Sequence, residues 1–422
     1  MAPPYDVISP EYQEELYKSS DFNVIRLILG KHFTSDGEYN NCYVRAAAFL
    51  NGWLRHKILL REEKPAFYIY EQKLAVHGKK VSRLGFIGLL RLEDLGKGKV
   101  FPHEETYPKA KLDRLQLFRA THANFESIFA IFSDEKNKTL KLCKSWMRKK
   151  ALVEAKDRDG VLHRIWQMDS KAAISRLTLE MKDKSVFIAD GHHRYEASLR
   201  FKEELRLRNT KFSEDEPYNH VMMYFSPLED KGLIVLPIHR VVGKLNYFDP
   251  ARFEQDLAHY FEVTAYPASK KSASKVLKKL MKDLEKSGRQ KHAFGLYLGH
   301  YRYFLLVLRD DNIMDELIPE ERGKIWKRLD VNILHYTVFE RLLNIAKETE
   351  ERIVYTKSAE EAVKLVDEKK NTMAFLLNPT KIEEVIAISS KLEKLPHKST
   401  YFWPKLLSGL IMRQFENDRV KA

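Results

Sequence analysis

The chain has 422 residues, 44% hydrophobic and 31% charged, with 73 Lys and Arg against 59 Asp and Glu, a formal charge of +14. Its 17 Gly and 15 Pro are too few for a low-complexity or collagen-like chain, and at roughly 150 residues per domain the length suits two or three compact regions. Cys42 and Cys143 stand alone without C-x-x-C spacing, which excludes a disulfide framework and a cysteine-rich zinc site.

The opening Met-Ala-Pro-Pro-Tyr-Asp has no basic n-region or apolar h-region, and no apolar run approaches the ~18 residues of a spanning helix. A soluble cytoplasmic protein is expected. The basic excess points either to an anionic partner (nucleic acid, a membrane surface, a phosphorylated small molecule) or to a densely charged surface of mixed sign. Seven glutamines beside many charges of both signs suit the second reading, a pattern of heat-stable proteins with ion-pair surfaces.

In chain order, apolar spacing predicts a helix from Tyr39 to Leu60, then strands at Phe67–Glu71 and Ser82–Ile87 joined by a turn at His77-Gly78. A helix follows over 108–120, a buried strand at Ser127–Phe132 and a basic surface helix at Lys136–Lys150. The clearest junction is the strand Ser185–Asp190 running into Gly191-His-His-Arg and a helix, with Asp190 a good N-cap type. Strands at His220–Phe225 and Leu233–Ile238 precede a helix at Pro250–Tyr260. In Lys270–Lys286 one face is apolar and the other lysine-rich, which reads as a solvated face. A hairpin about Gly299-His300 joins Phe294–Leu298 to Arg302–Leu308, and helix, strand and helix follow at Ala359–Glu368, Met373–Leu377 and Lys381–Ser389. The mixture predicts an α+β fold in three regions, 1–95, 96–240 and 241–422.

Familiar nucleotide signatures are missing: there is no G-x-x-x-x-G-K-[ST] loop and no G-x-G-x-x-G. His103-Glu104-Glu105 starts like a zincin helix but lacks the second His, so a metalloprotease is excluded and no metal ligand set is assigned. At Asp190-Gly191-His192-His193-Arg194, helix-start amides, two imidazoles and a guanidinium converge as in a phosphate cradle. Basic residues in a first helical turn oppose the helix dipole, which favours an anion there over a plain capped helix. Glu104 beside His103 offers a general base, and the loop Pro396–Lys405, with Lys398, Ser399, Thr400 and Lys405, offers ammonium and hydroxyl donors to a small anion. His239-Arg240 is a further candidate anion contact.

Pro102-His103-Glu104, Asp190-Gly-His-His-Arg194, Pro379-Thr-Lys-Ile-Glu-Glu-Val385 and His397-Lys-Ser-Thr400, in this order, resemble motifs of the free serine kinases of the ParB/sulfiredoxin-like superfamily. Ser399 stands where that family has Thr, and the Pro-Thr-Lys segment carries one extra residue. The chain also resembles a large bacterial family of longer proteins that share Pro-Pro-Tyr-Asp-Val-Ile-Ser, here Pro3 to Ser9, and the same D-G-H-H-R. The kinase resemblance covers about half the chain and implies a ParB/sulfiredoxin-like core that phosphorylates the hydroxyl of free L-serine, with Mg²⁺ as cofactor.

On that resemblance Glu104 is the base, with His103 and Asp190 beside it in catalysis. Gly191, His192, His193 and Arg194 hold phosphate and Lys398, Ser399 and Thr400 hold the substrate; outside the matching motifs, Lys405, His239 and Arg240 are further candidates for phosphate and Tyr5 and Asp6 for the substrate. The donor is pyrophosphate, ADP or ATP, and a compact basic cluster suits pyrophosphate. No specific nucleic acid or membrane partner is implied. The competing class is a ParB-like nucleotide-dependent DNA-binding protein, whose G-E-R-R motif would fall on Gly191–Arg194 with His in place of Glu and of the first Arg. Sulfiredoxin chemistry, the second alternative, needs a cysteine where this chain has His192, which counts against a thiol mechanism.

Overall fold

A computed structural model describes residues 1–76, 78–245, 247–319, 321–345, 352–368 and 371–415. The chain is a mixed α+β protein of two compact units, the first made of Met1–Ile234 plus the stretch from Pro404 onward, the second of Val235–Trp403. No helix of the described residues is long and apolar enough to cross a membrane.

Among the described residues, eight strands of the first unit form one sheet: β1 (Phe67–Val76), β2 (Lys79–Arg91), β3 (Val100–Phe101), β4 (Ile128–Phe132), β5 (Val153–Lys156), β6 (Leu162–Met168), β7 (Val186–Asp190) and β8 (His220–Pro227). Their order is β3-β7-β4-β8-β2-β1-β6-β5, parallel at β3/β7 and β4/β8 and otherwise antiparallel. Side chains alternate along a strand, so cross-strand partners share a face.

On one face Ile69 lies opposite Phe86 and Trp166, and this side packs on Leu140 and Cys143 of the helix Lys138–Trp146 and Leu177 of the helix Lys171–Met181. Each such buried side chain contributes about 1.5–3 kcal/mol. On the other face Gln72 lies opposite both Arg83 and His163, and Phe129 lies opposite Asp190. The register slips between Phe129 and Ala130, a bulge beside the end of β7. Bulges at such places re-aim side chains. Two helices matter for the site: α1 (Pro108–Thr121) and α2 (His192–Arg208).

The second unit contains a sheet of β9 (His239–Gly243), β10 (Phe261–Pro267), β11 (Ala293–Tyr297), β12 (Arg302–Leu308), β13 (Ile353–Thr356) and β14 (Asn371–Leu376), in the order β10-β12-β11-β14-β9-β13. The helix Ala273–Ser287 buries Leu277, Leu280 and Leu284 and leaves Lys275, Lys278 and Lys282 exposed, as the lysine-rich pattern requires.

Two units replace the three regions expected at 1–95, 96–240 and 241–422. The reason is β1 and β2: they lie inside the large sheet, so residues 1–95 share its core, and the chain beyond Pro404 returns to the same unit. The strand expected at Leu233–Ile238 is shorter, Ile234–Leu236, and a separate strand begins at His239, since Pro237 between them has no amide proton for a ladder. At the predicted β1–β2 turn Gly78 has φ +77°, and His77 lies outside the described residues.

Candidate functional site

The junction of β7 and α2 is built around a glycine. Gly191 is the helix N-cap with φ +96°, and a Cβ there would sit 2.8 Å from Arg194 Nη2. Only glycine combines that backbone with a guanidinium lying against it. Asp190 is therefore not the cap expected from its residue type. It ends the strand instead, where Oδ2 accepts from Arg194 Nη2 at 2.9 Å and Oδ1 pairs with the Lys405 ammonium. Arg194 Nη1 donates to the Ser127 carbonyl at 2.8 Å, while its buried Nε has no hydrogen-bond partner. Burial alone would raise the Asp190 carboxyl, but the charges of Lys405 and Arg194 outweigh it and hold the group below its ordinary value.

The segment His103–Tyr107 is strapped onto the first turns of α2. The His103 amide donates to His192 Nε2 at 3.2 Å and the Tyr107 amide to His193 Nε2 at 3.0 Å. Thr106 Oγ1 and Lys111 Nζ both donate to Glu196, at 2.8 and 2.9 Å. An Nε2 that accepts needs a lone pair, so the His192 ring proton sits on Nδ1, which lies 3.5 Å from Glu104 Oε2. His103 Nδ1 donates to the Ile188 carbonyl at 2.7 Å, and burial pushes this ring down to about 4. Burial lowers His193 as well. The two histidines at the helix start thus act as acceptors, and Arg194 already has Asp190. The dipole argument for a bound anion is correspondingly weaker than the basic sequence suggested.

The N-terminal segment belongs to the same unit. The Tyr5 amide donates to Glu126 Oε1 at 3.3 Å, the Arg114 guanidinium lies 3.9 Å from the Tyr5 ring centroid, and Ala2 bridges Ser408. Burial raises the Tyr5 phenol. Burial would lower the Arg194 guanidinium, but Glu126, Asp190 and Asp6 reverse this, which places the exposed Asp6 carboxylate within electrostatic reach of Arg194. Glu104, His103, Asp190, Gly191, His192, His193, Arg194, Lys405, Tyr5 and Asp6 therefore all lie in the first unit.

The remaining candidates lie in the second unit. His239 is buried in β9, pushed down to about 4 by burial, and accepts the Leu377 amide on Nδ1 at 3.1 Å, the pattern of a satisfied core histidine. Arg240 Nη1 donates to the Ile238 carbonyl at 3.1 Å. Ser399 is buried and its hydroxyl donates to Pro396 O at 2.5 Å, Lys398 is exposed with φ +54°, and Thr400 is half-buried. Sequence reasoning passed over Glu126 and Ser127, and also the side chains of β1 and β2 that hold the Lys405 segment: Gln72 Nε2 donates to Lys405 O at 2.9 Å and buried Arg83 to Pro404 O. Gln72 and Arg83, polar residues at the ends of the segments read as strands, were the available signal.

A family model described as "Protein of unknown function (DUF1015)" matches residues 1–332, and the chain belongs to this family. No curated protein matches it. Among solved structures the chain is similar to a conserved hypothetical protein from Pyrococcus furiosus at 13% identity and TM-score 0.33, over 76% of this chain and 93% of that one. It is similar to a free serine kinase in complex with AMP at 14% identity and TM-score 0.34, over 75% and 86% of the two chains. It is also similar to C-terminally truncated SbnI from Staphylococcus aureus at 10% identity and TM-score 0.33, over 76% and 85%.

Proposed function

We propose that this protein is a phosphotransferase with a ParB/sulfiredoxin-like core that moves a phosphoryl group from pyrophosphate, ADP or ATP to the hydroxyl of free L-serine. The observation that carries the reading is the Glu104 carboxylate, about one-third exposed and facing His192 Nδ1, in the unit that also holds the Asp190, Arg194 and Lys405 charges. A serine hydroxyl is a weak nucleophile, so a carboxylate within reach must take its proton as the new O–P bond forms. Glu104 has that role. His192 Nδ1 stands 3.5 Å from the carboxylate, and the His103 amide fixes the ring that carries it.

Phosphoryl transfer asks chiefly for positioning and for cations against developing negative charge. Lys405 and Arg194 supply those charges, and the buried Arg194 N–H without a partner suits an acceptor oxygen. As the bond to the donor breaks, its electron pair leaves with pyrophosphate-derived phosphate or with the nucleotide. The residues present do not fit a protein-held Mg²⁺: Asp190 is taken by Lys405 and Arg194, Glu104 is kept as the base, and no cluster of three candidate metal ligands occurs among the described residues, so the ion would come with the donor phosphates. Tyr5 and Asp6 are proposed contacts for the amino acid, while Gly191 and His193 complete the proposed phosphate contacts, with His103 as a support of the base.

Phosphorus NMR of the purified protein with L-serine, Mg²⁺ and, in separate tubes, ATP, ADP and pyrophosphate tests the reading. A phosphoserine resonance in one tube is expected, and its absence from all three would discard the kinase assignment.

A further inference from the structure

Across the sheet face that carries Asp190 runs a buried polar ladder that the phosphoryl-transfer reading does not use. Tyr70 and Gln72 are two apart on β1 and so share a face, and Gln72 lies opposite His163 on β6 and Arg83 on β2. Tyr70, Gln72, Arg83 and His163 are all fully or almost fully buried. The Leu407 amide donates to Tyr70 Oη at 3.3 Å, and Tyr70 Oη stands 2.6 Å from His163 Nδ1. His163 Nε2 is 3.0 Å from Asp157 Oδ2. Asp157 in turn is tied into its turn by the Val161 amide, which donates to Oδ1 at 2.8 Å.

The proton order follows from these partners. Asp157 accepts from Nε2–H, so His163 Nδ1 holds a lone pair and takes the Tyr70 proton, leaving the Tyr70 oxygen to accept from Leu407. Burial raises Tyr70, which keeps this phenol protonated. Two residues upstream, Gln72 and Arg83 take the Lys405 and Pro404 carbonyls. The segment Pro404–Leu407 is thus held by side chains rather than by a ladder strand, and Lys405 reaches Asp190 from it.

We propose that Tyr70, backed by His163 and Asp157, is a positioning residue that fixes the Lys405 ammonium at the phosphate-binding end of the site. A buried His–Tyr pair backed by a part-buried Asp is a costly way to satisfy one amide. It is intelligible when the amide belongs to the strand of chain that delivers a cation, since a displacement of about 1 Å at such a group can cost about a hundredfold in rate. Tyr70 touches no reacting atom. Its effect runs through Lys405, and the proposal rests on the phosphate-binding reading of that lysine.

The test uses the full chain and two readouts. Calorimetric titration with inorganic pyrophosphate is run on the unsubstituted protein, Tyr70→Phe, Lys405→Met and the double variant, beside hydrogen exchange of the peptide containing 404–408. Tyr70→Phe should weaken pyrophosphate binding about tenfold and deprotect that peptide alone, and it should add nothing in the Lys405→Met background, because residues acting as one unit are not additive. Where serine turnover is measurable, the donor KM should rise in Tyr70→Phe with the serine KM unchanged. Equal, additive losses in both backgrounds, or unchanged binding, overturn the inference. Asp157→Asn, which loosens the His163 ring behind Tyr70 and leaves Gln72 and Arg83 in place, replaces Tyr70→Phe if that variant does not fold, with the same expected pattern. If the unsubstituted protein binds pyrophosphate but makes no phosphoserine, the kinase reading fails while the positioning role stands.

Discussion

Lys405 and Asp190, 215 positions apart in sequence, form an ion pair in which each side chain is only 14% exposed. The pair ties the returning C-terminal segment to the strand end that opens helix α2. Arg194 shares the same carboxylate.

Removing one member of such a pair leaves the other poorly compensated. Lys405→Met should cost about 3 kcal/mol by chemical denaturation, the scale of a broken buried pair. Asp190→Asn in the same background should cost little more than either change alone. Two full, additive losses would show that the pair is not coupled.

His103 predicts a pH dependence. Its folded value of about 4 lies below the ordinary 6.5, so the unfolded chain binds more protons between those values. Stability from this group is complete above about pH 6.5 and is lost as pH falls toward 4, on the order of 3 kcal/mol in all. Denaturation midpoints at pH 4, 5, 6 and 7 should fall less steeply for His103→Asn than for the unsubstituted chain. Asp190 adds an acid limb of the same sign at lower pH, since its carboxyl is depressed and its contribution disappears on protonation.

Gly191→Ala should be disproportionately harmful for one methyl group. The left-handed backbone costs roughly 1 kcal/mol or more for a residue with Cβ, and the methyl also meets Arg194. Denaturation should show the first effect, and weakened pyrophosphate binding in calorimetry should show the second.

The lysine face of the helix Ala273–Ser287 should be silent. Lys278→Glu together with Lys282→Glu should change stability by less than about 0.5 kcal/mol and leave pyrophosphate binding unaltered. A large loss of binding would move the anion site to that helix.

Much of this was legible in the sequence for a physical reason. Strands buried on both faces, such as Ser127–Phe132, and helices with one apolar face, such as Lys270–Lys286, carry strong periodic patterns, and Gly191 marked its own strand-to-helix turn. The short helices Ile313–Leu317, Lys324–Lys327 and Asp330–Ile333 are too brief to show a period and were not read. At the site, residue types were informative but their partners were not. His192 and His193 read as cations, whereas the structure uses them as acceptors for the amides of His103 and Tyr107. Glu126 and Tyr70 enter through pairings over 121 and 337 positions, which no local pattern encodes.

The central claim is that Glu104 takes the proton of a serine hydroxyl. Glu104→Gln keeps the side chain's size and removes its basicity, so the comparison to make is the rate of O-phosphoserine formation by this variant and by the unsubstituted protein, at saturating L-serine and donor. A fall of at least about a hundredfold, with the denaturation midpoint unchanged, is predicted. Turnover near the unsubstituted rate would contradict the assignment.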